Sequence, residues 1–414
     1  MESNLNHAEP RFAQMKATVK SAGSQCRASG MIDRILLLGG RLHYGPDIVL
    51  HTGSSGAVPY LDELHLVLEQ DGERRAVGGI RRNIEYLTGI PGSEIERQVI
   101  EWASAADWSR SFEDLLADLH RDGVLCGPSR ALIDQTLHDG VARSRGIPIC
   151  ALWGKSVTGG METNQTLFWC DEDALIRRAA AYVERGFKSL KLRMGVRSFE
   201  EDLERLRLLR ERFGTEILLA ADVNGQWPDA VVFERIHAVT AFDLDYLEQP
   251  ASQSSWPVYE ELAAKSPIRV MLDESASSPA DIDRIIKIGG RLAAHLKLVK
   301  MGGFRPLIAA GRRLIDAGVP VMIGQMNEGA LATAAAAHAA IILGTTGNKL
   351  YGADGIVDDP AETPRYVNGR IHLTGAPGIG PIYDESMFQT RWTRLIGASE
   401  ITRDPSPDFT LTGR

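Results

Sequence analysis

The chain has 414 residues, 44% apolar and 24% charged, with a formal net charge of -8. That length suits two domains with large cores. The acidic balance argues against a nucleic-acid or acidic-membrane partner, which basic faces normally meet, and no window reaches the ~18 uninterrupted apolar residues of a membrane helix. Residues 1–30 lack the apolar core of a secretion signal and read as the mobile tail of a cytoplasmic protein. From Met31 to Glu73, IDRILLLGGRL and ELHLVLEQDGE read as strands, with a turn at Asp71-Gly72. A polar, Gly-rich loop lies between them, and a second loop follows at GGIRRNIEYLTGIPGSE. From Glu94 to Arg145 the apolar spacing is helical, and Gly146-Ile147-Pro148 ends it. Residues 31–155 are therefore expected to form an α+β unit.

Beyond Gly160 short apolar strands alternate with helices of ten to fifteen residues, through TNQTLFW, SLKLRM, ILLAADV, FDLDYLEQ, IRVMLDE, AAHLKLVK, VPVMIGQ and KLYGADG. Eight strands and seven helices predict a closed parallel barrel rather than an open sheet. No GxGxxG follows the first strand, as a dinucleotide site would require. Chemistry in such a barrel sits at the C-terminal strand ends.

Those ends carry charge. Asp222, Glu248 and Asp273 close three consecutive strands, whose ends lie about 5 Å apart. Three converging carboxylates repel, and a hard divalent cation, Mg2+ or Mn2+, is the simplest relief. The plain alternative is that each acid caps the helix after it. Lys191 and Arg193 share one strand face, while Lys188 has the opposite parity. Lys297 closes the sixth strand. A lysine beside a divalent cation in a dry barrel mouth is expected to have a depressed pKa and to serve as a general base; the alternative is a salt bridge to Asp273 or Glu274. Lys300 reads as a loop or helix-start residue.

The runs LKLRMG, DVNGQW, YLEQP, LDES and LKLVKMGG, with the junction helix RALIDQTLHDGVARSRG and the later APGIGPIYD, resemble the enolase superfamily, muconate-lactonizing-enzyme subgroup. The resemblance spans nearly the whole chain. It implies a (β/α)7β barrel at 156–384 and an α+β capping domain completed by residues 385–414. It implies Mg2+ held by Asp222, Glu248 and Asp273, and removal of the proton α to a carboxylate with an enolate intermediate. Asn224 would support metal or substrate, and Glu274 would orient Lys297.

One position departs from the pattern. The family has Lys-x-Lys on the second strand; this chain has Lys191-Leu192-Arg193. A guanidinium keeps its proton to about pH 12 or beyond and is a poor base. One good base, Lys297, favours dehydration, β-elimination or cycloisomerisation over racemisation. Lys297 or Lys191 could then protonate a leaving group, and Arg193 would bind the substrate carboxylate or stabilise charge. Racemisation or epimerisation of an amino-acid derivative is the alternative, and a non-catalytic binding protein a more distant one.

Gln325 and Glu328 follow the seventh strand, and Glu328 is read either as binding a distal substrate group or as capping the next helix. His138 and His338 read as packed core histidines, and Asp354 as a turn residue or a contact for a substrate ammonium. Specificity is expected from two cap loops, through Tyr44, His51, Thr52 and Ser54, and through Arg81, Arg82, Asn83 and Tyr86. These polar groups point to a small carboxylate such as a sugar acid, hydroxy acid or amino-acid derivative. The sequence leaves room for a homo-oligomer. The four cysteines, Cys26, Cys126, Cys150 and Cys170, form no CxxC pair and predict neither zinc nor disulfides.

Overall fold

The computed structural model describes residues 32–396 apart from Asp47 and Asp122. The expected tail at 1–30 and residues 397–414 lie outside the described residues. The first unit holds β1 (Arg34–Leu42), β2 (Leu50–Thr52), β3 (Gly56–Val58), β4 (Leu61–Gln70) and β5 (Glu73–Arg81), then α1 (Gly92–Ala105), α2 (Phe112–Arg121) and α3 (Gly127–Ser144). β1, β4 and β5 make an antiparallel sheet. Asp71 and Gly72 sit at φ 55° and 73° in the two-residue turn between β4 and β5, the geometry an Asp-Gly pair favours.

The sheet is buried on both faces. Ile35 and Leu37 of β1 pack with the cap helices, while Leu36 and Leu38 pack with the barrel core. Because successive strand residues point to opposite faces, such a strand must be apolar at every position, which is why Ile35–Leu38 contains no polar residue. The loop after β1 is less irregular than its composition suggests. It contains the β2–β3 hairpin, whose tip reaches the barrel: a Cβ on Gly53 would lie 2.6 Å from Gly195 O.

Helix α3 is buried on almost every side and ties the parts together with carboxylates. Asp139 accepts from Val77 N at 2.9 Å, Ile379 N at 2.6 Å and Arg143 Nε at 2.6 Å. Asp134 accepts from Phe304 N at 2.6 Å. Glycine at position 78 lets β5 touch α3, since a Cβ there would sit 2.4 Å from Thr136 Oγ1.

The second unit alternates β6 (Gln165–Leu167), α4 (Glu172–Glu184), β7 (Ser189–Arg193), α5 (Phe199–Phe213), β8 (Leu218–Asp222), α6 (Val232–Val239), β9 (Leu244–Glu248), α7 (Trp256–Lys265), β10 (Arg269–Leu272), α8 (Pro279–Ile288), β11 (Leu292–Lys297), α9 (Phe304–Asp316), β12 (Val321–Gly324) and α10 (Ala330–Leu343). Strands β6 to β12 form one parallel sheet in sequence order. The expected eighth strand is shorter than KLYGADG suggests. Asn348 bridges Thr163 and Lys349 bridges Gly324; these two bridges close the ring, and the chain turns away at Tyr351–Asp354. Ser198 and Ser278 cap α5 and α8, each accepting a backbone N–H at 3.2 Å. The last strand, β13 (Gln389–Leu395), returns to pair antiparallel with β1. Among the described residues no helix is long and apolar enough to cross a membrane.

Candidate active site

The barrel strands deliver their charged ends to one level. Arg193 pairs in register with Asp222, and Asp222 with Glu248. Farther round, Lys297 pairs with Gly324 and Gly324 with Lys349. Partners on parallel strands face the same way, so these residues share the barrel interior. Lys188, of opposite parity, is exposed.

The three carboxylates are fully or almost fully buried, and each is met by cations. Lys191 Nζ donates to Asp222 Oδ2 at 2.9 Å and Glu248 Oε2 at 2.7 Å. Arg193 donates to Asp222 Oδ2 and, at 3.0 Å, to Asn224 Oδ1. Asp273 takes Lys297 on Oδ2 and Lys300 on Oδ1 at 2.6 Å. Burial alone would raise the carboxylates. Lys191 nevertheless brings Glu248 below its usual range, and Lys297 and Lys300 bring Asp273 well below.

His295, two residues before Lys297 and on the same face, lies beneath this group. Its Nδ1 is 3.1 Å from Glu248 Oε1 and 3.6 Å from Asp273 Oδ2, and its Nε2 is buried with no hydrogen-bond partner. Burial keeps the imidazole neutral, far below its usual pKa. Ligand atoms of Glu248, Asp273 and His295 lie within 4.8 Å of one another, a buried group that could hold a metal ion. Two carboxylates and a neutral imidazole are a suitable donor set for a divalent cation.

One expectation about the lysines changes. Burial disfavours the Lys297 ammonium, but Asp273 outweighs it and the pKa is raised rather than depressed. Lys191 likewise is raised by Asp222 and Glu248 against its burial, so it stays an ammonium paired with both carboxylates. Glu274 does not orient Lys297, which Asp273 holds instead. Glu274 Oε1 accepts from Asn224 Nδ2 at 3.2 Å, and burial, then Asp273, pushes its carboxyl up to about 7. Lys300, read from sequence as a loop or helix-start residue, lies in the short helix Leu298–Met301, is buried and also donates to His295 O at 2.8 Å.

A cavity of about 30 Å³ lies over these groups, lined by Arg193, Asn224, Asp273, Glu274, Lys297 and Lys349 from the barrel. From the cap come Thr52, Ser54, Arg81 and Tyr86. It shares Ser54, Tyr86, Asn224 and Glu274 with a cleft of about 630 Å³. Several expected specificity residues have other work. Arg82 pairs with Asp62 at 2.8 Å and Glu96 at 2.5 Å. Tyr44 donates to Gly352 O and accepts from Asn327 at 2.8 Å, joining cap to barrel. His51 packs edge-on against Trp169. Asn83 accepts from Arg81 Nε at 2.6 Å. Glu328 does not cap the next helix, whose first amides at Gly329 and Ala330 donate to Glu63 and Asp359; it accepts from Met326 N at 3.1 Å, and Gln325 donates to Thr333 Oγ1 at 2.9 Å. Asp354 pairs with Arg185 at 2.7 Å and is spent as a structural turn acid. His138 and His338 are packed in the core as expected, with His338 Nε2 3.1 Å from Ile379 O. Cys126, Cys150 and Cys170 are free thiols.

Comparison with known proteins places the chain. The family described as enolase C-terminal domain-like matches residues 174–387, more than half the chain. The chain belongs to the enolase superfamily. Within it, the chain falls in the mandelate racemase/muconate lactonizing branch. It is 28% identical over 260 residues to muconate cycloisomerase 1 of Pseudomonas putida, covering 61% of this chain and 68% of that one. It is 25% identical over 213 residues to the N-succinyl-L-Arg/Lys racemase of Bacillus cereus, covering 51% and 58%. A solved structure of N-succinyl Arg/Lys racemase from that organism superposes with a TM-score of 0.81 at 22% identity, over 89% of this chain and all of that one. A dipeptide epimerase structure from Cytophaga hutchinsonii, in complex with Mg and a dipeptide, gives 0.79 at 20% identity over 87% and 99%. This superfamily enzyme thus has a fold shared with cycloisomerases and epimerases and a buried carboxylate–histidine group suited to a metal.

Proposed function

We propose that the protein is a Mg2+-dependent enzyme that removes the proton α to a small carboxylate and completes a cycloisomerisation or β-elimination through an enolate. Glu248 and Asp273 would hold the cation together with Asp222, and His295 would orient Glu248 through Nδ1. When bound, Mg2+ supplies positive charge against the substrate carboxylate, so that the charge developing on proton loss is offset. Lys297 would act at the α-carbon as the free amine, which requires that its ammonium first lose the proton that Asp273 holds on it. The C–H bond breaks, an N–H bond forms on Nζ, and the electron pair is delocalised into the carboxylate. The same ammonium returns the proton, to a leaving group in elimination or to carbon in the reverse sense.

The observation that carries this reading is Arg193. It faces Lys297 across the barrel, and burial does not strip its charge because Asp222 outweighs it. The second strand therefore offers a fixed cation and no base. Similarity to a cycloisomerase supports the same choice. The test follows α-proton exchange in D2O with Mg2+ over panels of N-acyl amino acids, hydroxy acids and unsaturated diacids. Wild type is expected to exchange one enantiomer only, and Lys297→Ala to lose about 10²–10⁴-fold. Exchange of both enantiomers at similar rates would favour the racemase reading, and full activity in Lys297→Ala would sink the base assignment.

A further inference from the structure

Among the described residues, every basic side chain at the level of the carboxylates donates to one of them except Lys349. Lys191, Arg193, Lys297 and Lys300 each donate to Asp222, Glu248 or Asp273. Lys349 is 2% exposed, lines the cavity, and among the described residues no carboxylate or carbonyl accepts from its amine. Its Nζ stands 5.9 Å from the centroid of the Tyr351 ring.

Its place in the ring gives this meaning. Lys349 forms the eighth, shortest strand, two strands beyond Lys297 and two before Lys191 and Arg193 in the closed order. The carboxylates stand on the third, fourth and fifth strands, so the wall carrying Lys349 lies across from Glu248. Between Lys297 and Lys349 stands Gly324, which has no side chain to divide them. On the reading that the reacting carboxylate lies at the acidic half, the far end of the substrate meets the basic half.

We propose that Lys349 recognises a second anionic group on the substrate, remote from the reacting carbon, so that the enzyme's substrates are dicarboxylate-type acids rather than acids with a distal ammonium. Lys349, Arg193 and Arg81 all line the cavity; a substrate ammonium would be repelled by the two guanidiniums and would find no counter-charge on the lysine. Among the relatives, muconate and N-succinyl amino acids carry such a second carboxylate, whereas free dipeptides end in an ammonium. The groups facing the Lys349 amine are Lys191, Arg193 and Lys297, with Glu248 opposing them. Burial and those three cations hold the amine well below its usual pKa, so it takes up a proton when an anion arrives.

Isothermal titration calorimetry on the full chain with Mg2+ tests this, using glutarate and adipate against pentanoate and hexanoate. Wild type is expected to bind at least one dicarboxylate about tenfold tighter than the monocarboxylate of equal length. Titrations in buffers of different ionisation enthalpy should show uptake of about one proton. Lys349→Met should lose both the preference and the proton uptake while holding the monocarboxylates unchanged. Lys349→Arg, a check against misfolding, should keep the preference without the uptake. No preference in wild type, or a preference that survives Lys349→Met, overturns the proposal. Monocarboxylate binding indifferent to Mg2+ would instead count against the reading of the carboxylate half, and leaves the Lys349 comparison intact.

Discussion

Arg193 and Asp222 stand side by side in register on neighbouring strands, and the guanidinium donates to Asp222 Oδ2. The arginine therefore stabilises a carboxylate at the place where the family pattern has a lysine able to move protons. Arg193→Lys keeps the charge and restores an amine that can titrate. A positioned base is worth about 10²–10⁴-fold, so exchange at the enantiomer ignored by wild type should rise at least about tenfold. Solvent-deuterium incorporation followed by proton NMR measures it. Exchange that stays one-sided would show that this position does not face the reacting carbon.

Metal binding can be read without turnover. Mg2+ at about 100 times its dissociation constant should stabilise the fold by about 2.7 kcal/mol. Thermal melting with and without chelator reports that shift. Glu248→Gln should abolish it. His295→Ala, which removes the imidazole beside Glu248 and Asp273, should weaken Mg2+ binding by about 10–100-fold. An unchanged affinity in His295→Ala would mean that the imidazole does not orient the carboxylate.

A buried acidic group at the cap–barrel junction should make stability fall as pH rises. Glu63 accepts from Gly329 N at 3.1 Å, but its other oxygen is buried without a partner. Burial pushes Glu63 up to about 8, and burial with Glu63 nearby pushes Glu328 up to about 7. Both folded values lie above the unfolded ones. The stability they contribute is complete below the ordinary carboxylate pKa and is lost as pH rises through about 7 and 8. The slope is at most about 1.4 kcal/mol per pH unit for each group. Neighbouring His65, brought down to about 4 by burial, acts oppositely on the acid side, so the comparison belongs above roughly pH 7. Glu63→Gln keeps an acceptor for Gly329 and removes one ionisation. Its melting temperature should exceed wild type near pH 9 and vary less with pH; a parallel curve would refute the assignment.

Gly324 sits where a side chain has no room. A Cβ there would lie 2.0 Å from His295 Nε2. Gly324→Ala should therefore cost about 1–3 kcal/mol by overpacking and push the imidazole off Glu248. Denaturant melts give the first effect and Mg2+ titration the second. A variant with wild-type stability would mean that the ring moves freely.

Much of the site could be read from strand ends and parity, and the omissions have physical causes. Asp222, Glu248, Asp273 and Lys297 each end an apolar run, the pattern a barrel mouth writes into sequence. His295 was within reach of the same logic, since it stands two residues before Lys297 and shares its face, just as Lys191 stands before Arg193. Lys300 was not, because the turn of helix at Leu298–Met301 carries it back to Asp273, and strand period says nothing about such a turn. Lys349 was hidden by the brevity of its strand, where two bridges leave no alternation to follow. The cap loops divide by direction: Arg81 lines the cavity while Arg82, next in sequence, reaches Asp62 and Glu96. Composition gives both arginines the same weight, and only the end of β5 separates them.

The pairing of β1 with β13 sets an order of events during synthesis. Leu42 ends the first strand and Gln389 begins the last, so at about 5–20 residues per second the first waits roughly 20–70 s for its neighbour. Through that interval β1 has β4 on one side and an open edge on the other, a hazard for pairing with other chains. The barrel between them must be made first, so the cap sheet closes only after the whole barrel has been translated. Loss of the last fifteen described residues would then be felt at the beginning of the polypeptide, as an edge left permanently unpaired.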